Sequence, residues 1–191
     1  PDANEAATFL ILGVATKSNI KVINAKEDHL DLVLEKLRQF GADFKITKGA
    51  IEIIPPKKIH AVGKIETRIY PGVPTDAQAP FGVLATQAEG TTLVFDSLYE
   101  GRFNYIQEIT KMGAKAEILN KHQALIHGPS VLSGSIINSY DLRAGASLII
   151  AALVAKGKTV IQDAYQVDRG YERIEKRLIK LGAKIKRVEM Q

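Results

Sequence analysis

Three short segments, Phe40-Gly-Ala-Asp43, Met112-Gly-Ala-Lys115 and Leu181-Gly-Ala-Lys184, lie about seventy residues apart in a chain of 191. Apolar residues at helical spacing precede each segment, and strand-like alternation follows it. A glycine at that joint suits the left-handed turn that ends a helix. Self-similarity at a fixed period constrains the fold more than any single motif, because every copy must follow one local path and bury the same faces. The unit reads as strand, buried helix, strand, amphipathic helix and two strands, with copies at about 1–60, 61–128 and 129–191. Such copies are too long for a common solenoid. The expectation is one α/β (α+β) domain of three repeated βαβαββ units around buried central helices, since a helix apolar all round must be covered on every side.

In the first copy, Glu5 to Lys17 reads as an apolar helix and Ile20 to Asn24 as a strand. Leu30, Val33, Leu37 and Phe40 then form one helical stripe, and Phe44 to Ile46 and Ile51 to Ile54 form a hairpin. In the second, Ile65, Thr67 and Ile69 share a strand face. A helix runs from Thr75 or Asp76 to Ala88, stopped by Gly90, and Thr92 to Phe95 is a strand. Ile106, Ile109 and Met112 mark the next helix, followed by strands at Ala116 to Ile118 and Ala124 to Ile126. The third copy opens with the link from His127 to Gly134 and a further strand. An apolar helix to Ala155, a strand at Thr159 to Gln162, a helix at Tyr171 to Leu181 and a last strand after Gly182 complete it. The first copy lacks its leading strand and the third its last. Ala124 to Ser139 supplies both at the other joint, so a similar segment elsewhere in a longer chain would close the ring. The start at Pro1, without Met, fits a piece of a longer protein.

The totals narrow the function classes. With 46% hydrophobic and 25% charged residues the chain can bury a real core. The longest apolar run, Leu148 to Ala155, is too short to span a bilayer. The first residues show no signal-peptide pattern, and the lack of Cys excludes a disulfide framework and fits a cytosolic protein. A net charge of +5 suits an anionic partner. With no Trp and only 6% aromatics, that partner reads as a compact phosphate compound and not as RNA, whose exposed bases call for aromatic platforms.

Charged clusters recur at helix starts: Pro74-Thr-Asp76, Tyr99 to Arg102, Asp141-Leu-Arg143 and Asp168-Arg-Gly170. Exposed N–H groups and the positive end of the dipole make such starts anion sites, and arginine forks onto carboxylate or phosphate. Equivalent repeats put these starts at one end of the domain, so three arginines and one or two aspartates can share a surface. The competing reading is plain: an Asp before a helix is usually a cap, and a lone Arg is usually solvated surface. His29, His60, His122 and His127 have no metal spacing, and no phosphate loop or nucleophile elbow occurs.

At these clusters the sequence resembles the enolpyruvyl transferases, and among them the UDP-N-acetylglucosamine 1-carboxyvinyltransferases more than the shikimate-pathway members. Tyr70-Pro-Gly-Val-Pro-Thr-Asp-Ala-Gln78, Arg102-Phe103, His127-Gly-Pro129, Asp141-Leu-Arg143 and Asp168-Arg-Gly-Tyr-Glu-Arg173 carry the likeness, which covers nearly the whole chain. It implies one domain of a two-domain inside-out α/β barrel, with the active site between the domains. It further implies transfer of the enolpyruvyl group of phosphoenolpyruvate to the sugar 3′-hydroxyl, in the bacterial cytoplasm, with no cofactor and no metal. By motif match, Asp76 is the acid/base residue, and Arg102, Arg143 and Arg169 clamp phosphate and carboxylate. Asp141 orients the cluster, and backbone near Leu98 touches the nucleotide-sugar. Gly101, Pro80, Gly145 and Gln166 depart from the usual Asn, Gln, Ser and His, but every matched Asp and Arg is present. The family's Lys-Asn pair, its mobile acid loop and further arginines have no counterpart here, so the chain alone is expected to be inactive. The alternative kept beside this reading is a non-catalytic binding module for phosphorylated small molecules.

Overall fold

The computed structural model describes residues 2–188. The first repeat comprises α1 (Ala3–Ala15), β1 (Lys21–Ile23), α2 (Asp31–Gln39), β2 (Asp43–Thr47) and β3 (Ala50–Ile54). The second comprises β4 (Lys64–Thr67), α3 (Gln78–Ala85), β5 (Gly90–Asp96), α4 (Asn104–Lys111), β6 (Lys115–Asn120) and β7 (Gln123–Gly128). The third comprises β8 (Ile136–Asn138), α5 (Leu142–Val154), β9 (Val160–Gln162) and α6 (Ile174–Lys180).

The sheets bear out the repetition. The second repeat orders its strands β4-β5-β7-β6, with β4 parallel to β5 and β7 antiparallel to both neighbours. The first repeat's β1-β3-β2 is the last three strands of that pattern, and the third's β8-β9 is the first two. Strand directions agree as well: β1 runs antiparallel to β3, and β8 parallel to β9. The glycine joints match residue for residue. Gly41, Gly113 and Gly182 have φ of +99°, +101° and +94°. The next residue closes the same six-to-one bond each time, from Ala42 to Leu37, Ala114 to Ile109 and Ala183 to Leu178, all at 3.0 Å.

Three helices fill the middle. Ala6 to Ala15 of α1, all of α3, and Ala144 to Ala151 of α5 are buried. Apolar surface removed from water on every side of these helices drives their assembly, worth about 1.5–3 kcal/mol for each fully buried large side chain. Outer helices cover them with one face each: α2 through Val33, Leu34 and Leu37, α4 through Tyr105, Ile106 and Ile109. Phe40, at the end of α2, stacks on Phe81 of α3 with centroids 6.1 Å apart. Pro80 falls in the first turn of α3, where its missing N–H costs no helical bond. No helix among the described residues is long and apolar enough to cross a membrane.

Four expectations need correction. The α3 helix stops at Ala85 and tightens into i→i−3 turns through Ala88, so Gly90 opens β5 and does not stop the helix. Ile69 is 78% exposed and lies outside β4, because the parallel partner β5 ends at Asp96 opposite Thr67 and no ladder remains. The helix expected over Tyr171 to Leu181 is shorter, Ile174–Lys180, and follows a 3₁₀ turn at Ala164–Arg169. The described residues after Gly182 form no strand. Their counterpart β6 is held by β7, and the third repeat has no such neighbour among the described residues. Arg187 ties this stretch down instead, bonding Asp168 at 2.6 and 2.7 Å.

Candidate functional site

The central helices begin at one end of the molecule, and their first turns touch. Asn4, in the first turn of α1, donates its amide to Asp76 Oδ2 at 3.0 Å. The other carboxylate oxygen of Asp76 is ion-paired with Arg143 Nε, in the first turn of α5. Asp76 itself sits in the 3₁₀ turn (Thr75–Ala77) leading into α3. One residue from each repeat therefore enters one cluster: amide, carboxylate, guanidinium.

The aspartates at these starts have different jobs. Asp141 is a cap, accepting the Arg143 and Ala144 N–H groups at 2.7 and 3.0 Å, and Asp2 caps α1 in the same way. Asp76 caps nothing. Its carboxylate points away from its own helix toward the other two, and it stays partly open to solvent, as does Arg143.

Arg102 reaches the same place from the loop after β5. Its Nη1 donates to Thr75 Oγ1 at 3.0 Å, and its Cζ lies 3.4 Å from the centroid of the Tyr99 ring. Thr75 in turn donates to Asp96 Oδ2 at 3.0 Å. Asp96 is fully buried at the end of β5, and its Oδ1 accepts from Thr67 Oγ1 and from the Leu98 and Tyr99 N–H groups.

Between these groups runs a narrow cleft lined by Thr75, Gln78, Arg102, Tyr105, Asp141 and Arg143. Two polar atoms of its lining residues, Gln78 Nε2 and Tyr105 Oη, are buried without a hydrogen-bond partner among the described residues, and the Tyr105 hydroxyl is packed against Gly82 of α3. Burial pushes the Tyr105 hydroxyl pKa well up, with the Asp96 carboxylate adding to the effect, so it is a donor at any ordinary pH. A cleft with two guanidinium groups can hold a carboxylate or phosphate, while the adjoining carboxylate can take a proton.

Asp76, Arg102, Asp141 and Arg143 are thus gathered. Leu98 is exposed in the loop after β5, its N–H donating to Asp96 Oδ1 at 3.0 Å. Arg169 ends the 3₁₀ turn packed on the start of α5, with Val167 against Gly145 and Gly170 against Leu142. It does not line the cleft, and it makes no side-chain hydrogen bond or ion pair among the described residues. Asp168 is paired with Arg187, which holds its carboxyl below the usual range. Sequence reasoning missed Asn4, Thr75, Gln78, Asp96 and Tyr105. Only Thr75 and Gln78 had a signal, lying inside the quoted Tyr70 to Gln78 motif.

Repeated βαβαββ units around buried helices, with an acid and arginines where those helices begin, define the class of enolpyruvyl transferases. The chain belongs to the EPSP synthase (3-phosphoshikimate 1-carboxyvinyltransferase) family, whose model matches residues 1–178. Its curated relatives include the UDP-N-acetylglucosamine 1-carboxyvinyltransferases of Sulfurimonas denitrificans and Campylobacter lari. Each is 44% identical over 189 residues, covering 99% of this chain and 44% and 45% of those proteins. That of Koribacter versatilis is 42% identical over 188 residues, covering 98% of this chain and 43% of its own length. The chain therefore spans a little under half the length of the relatives it matches. Among solved structures, the enolpyruvyl transferase NikO from Streptomyces tendae superimposes with a TM-score of 0.88 at 25% identity, over 97% of this chain and 44% of NikO. EPSP synthase from Acinetobacter baumannii shares the fold, with a TM-score of 0.73 at 12% identity over 98% of this chain and 44% of its own.

Proposed function

We propose that this chain is one half of an enzyme that transfers the enolpyruvyl group of phosphoenolpyruvate to the 3′-hydroxyl of UDP-N-acetylglucosamine, releasing phosphate. That reaction commits the sugar to peptidoglycan synthesis, and with it to cell-wall growth and division in the bacterial cytoplasm. The cluster of Asp76 with Arg143, Arg102 beside it, carries the reading, and the 44% identity to carboxyvinyltransferases supports the choice of acceptor. Asp76 takes the hydroxyl proton as the sugar oxygen bonds to the central carbon of phosphoenolpyruvate, whose double bond opens as its methylene carbon takes a proton from an acid in the other half; loss of that proton together with phosphate restores the double bond. Arg102 and Arg143 hold carboxylate and phosphate from the cleft, and Arg169 adds its charge from the turn beside the start of α5, while the tetrahedral intermediate forms and expels phosphate. Asp141, by capping α5, fixes the backbone from which Arg143 projects, and the Leu98 backbone borders the nucleotide-sugar. No cofactor or metal takes part, and neither nucleic acid nor membrane is a partner.

The second half supplies the opposing face of the site. Two sheet edges left open among the described residues support the view that this chain is most, and not all, of a domain: β1 lacks the parallel neighbour that β5 has in β4, and β9 lacks the antiparallel one that β5 has in β7. A segment built like β7 to β8 would fill both.

The test is Asp76→Ala in the full-length enzyme. It is expected to lower turnover by about 10²–10⁴-fold while the nucleotide-sugar still binds. Near-normal turnover would remove Asp76 as the base. Failure of the unaltered enzyme to act on this substrate pair would remove the reading as a whole.

A further inference from the structure

Asp96 is the only acid among the described residues with no measurable exposure apart from Glu108, and it points to no cation directly. A carboxylate taken out of water must be compensated, and here four hydrogen bonds do it: from the hydroxyls of Thr67 and Thr75 and from the N–H groups of Leu98 and Tyr99. The identity of these donors matters. Thr75 spends its single proton on Asp96, so the lone pairs of its oxygen face outward, where Arg102 Nη1 donates at 3.0 Å. The Tyr99 N–H bond fixes the turn that lays the Tyr99 ring 3.4 Å under the Arg102 guanidinium. Both supports of Arg102, an oxygen at its edge and a ring at its face, therefore run back to one buried carboxylate.

We propose that Asp96 is a positioning residue for the transfer reaction, acting through Thr75 and Tyr99 to aim the Arg102 guanidinium into the cleft. The assignment of its effect on turnover rests on the reaction proposed above; its effect on Arg102 does not. Replacing Asp96 by Asn puts an N–H donor opposite Thr75 in one amide orientation, turns the hydroxyl proton toward Arg102, and removes the charge that offsets the guanidinium.

The experiment uses the full-length enzyme and a double-mutant cycle. Asp96→Asn is expected to lower kcat/KM for phosphoenolpyruvate by about tenfold or more, as loss of a supporting shell does. In an Arg102→Lys background it is expected to add almost nothing, because its target is gone. Thr75→Val should reproduce part of the loss and Thr75→Ser restore it, which keeps the test open if Asp96→Asn does not fold. Additive losses in the cycle, or a Thr75→Val enzyme with unchanged kcat/KM, would overturn the proposal. Should the unaltered enzyme fail to turn over, the arginine side-chain ¹⁵N–¹H signals decide: the Arg102 resonance should broaden or shift in Thr75→Val and Asp96→Asn. An unmoved Arg102 signal would overturn it as well.

Discussion

Tyr171 shows how one buried side chain ties a surface motif to the core. Its hydroxyl and that of Thr8 lie 2.7 Å apart, and Thr8 bonds the Asn4 carbonyl at 3.0 Å. The Asp168-Arg-Gly-Tyr motif is thereby anchored to the start of α1, two residues' reach from Asp76. Burial pushes the Tyr171 pKa up to about 12, partly offset by the Thr8 bond and reinforced by Asp76, Asp2 and Glu5. An unfolded tyrosine loses its proton near 10, so between about 10 and 12 the unfolded chain binds fewer protons and stability falls as pH rises. Tyr105 acts in the same direction. Urea unfolding should therefore show stability intact below pH 10 and reduced by about 1–3 kcal/mol toward pH 12. Tyr171→Phe should flatten part of that slope; an unchanged slope would assign the loss to other groups. At this scale the residues legible in the sequence were those inside motifs, Asp76, Arg102, Asp141 and Arg143. Asn4 and Asp96 are not legible, because an amide in a first turn and an acid at a strand end look like ordinary solvent-facing residues until Asp76 of the second repeat meets Asn4 and Thr67, Thr75 and the turn after β5 close on Asp96.

The three Gly-Ala joints are more legible in the sequence than the last strand. The Gly-Ala joints and apolar stripes are local chemistry, and all three joints adopt one geometry. A strand needs a partner, and the stretch after Gly182 alternates like its counterparts yet forms none among the described residues. The 3₁₀ turn at Ala164–Arg169 also escaped notice, since its stability comes from docking on α5. Gly145 makes that docking possible: a Cβ there would run into Ser139 Oγ and Val167 Cγ2. Gly145→Ser is therefore expected to destabilise this chain by about 1–3 kcal/mol. Thermal unfolding would register it, and an unchanged or raised Tm would mean the turn can retreat freely.

Across the whole molecule, the open sides of β1 and β9 are the most consequential surfaces outside the cleft. Each exposes a row of backbone groups that another strand can pair, and Ile23 and Val160 stand bare beside them. The 191-residue chain by itself should associate as its concentration rises, measurable by light scattering, whereas the full-length enzyme should not do so through these edges. A strictly monomeric isolated chain would show that its edges are blunted by means other than pairing. The cluster of Asn4, Asp76 and Arg143 has a different consequence, one of symmetry. Three identical copies of the unit arranged around an axis would present the same side chain three times at their meeting point. Joined in one polypeptide, each copy is free to diverge, and the units set three unlike groups side by side where identical ones would set three alike.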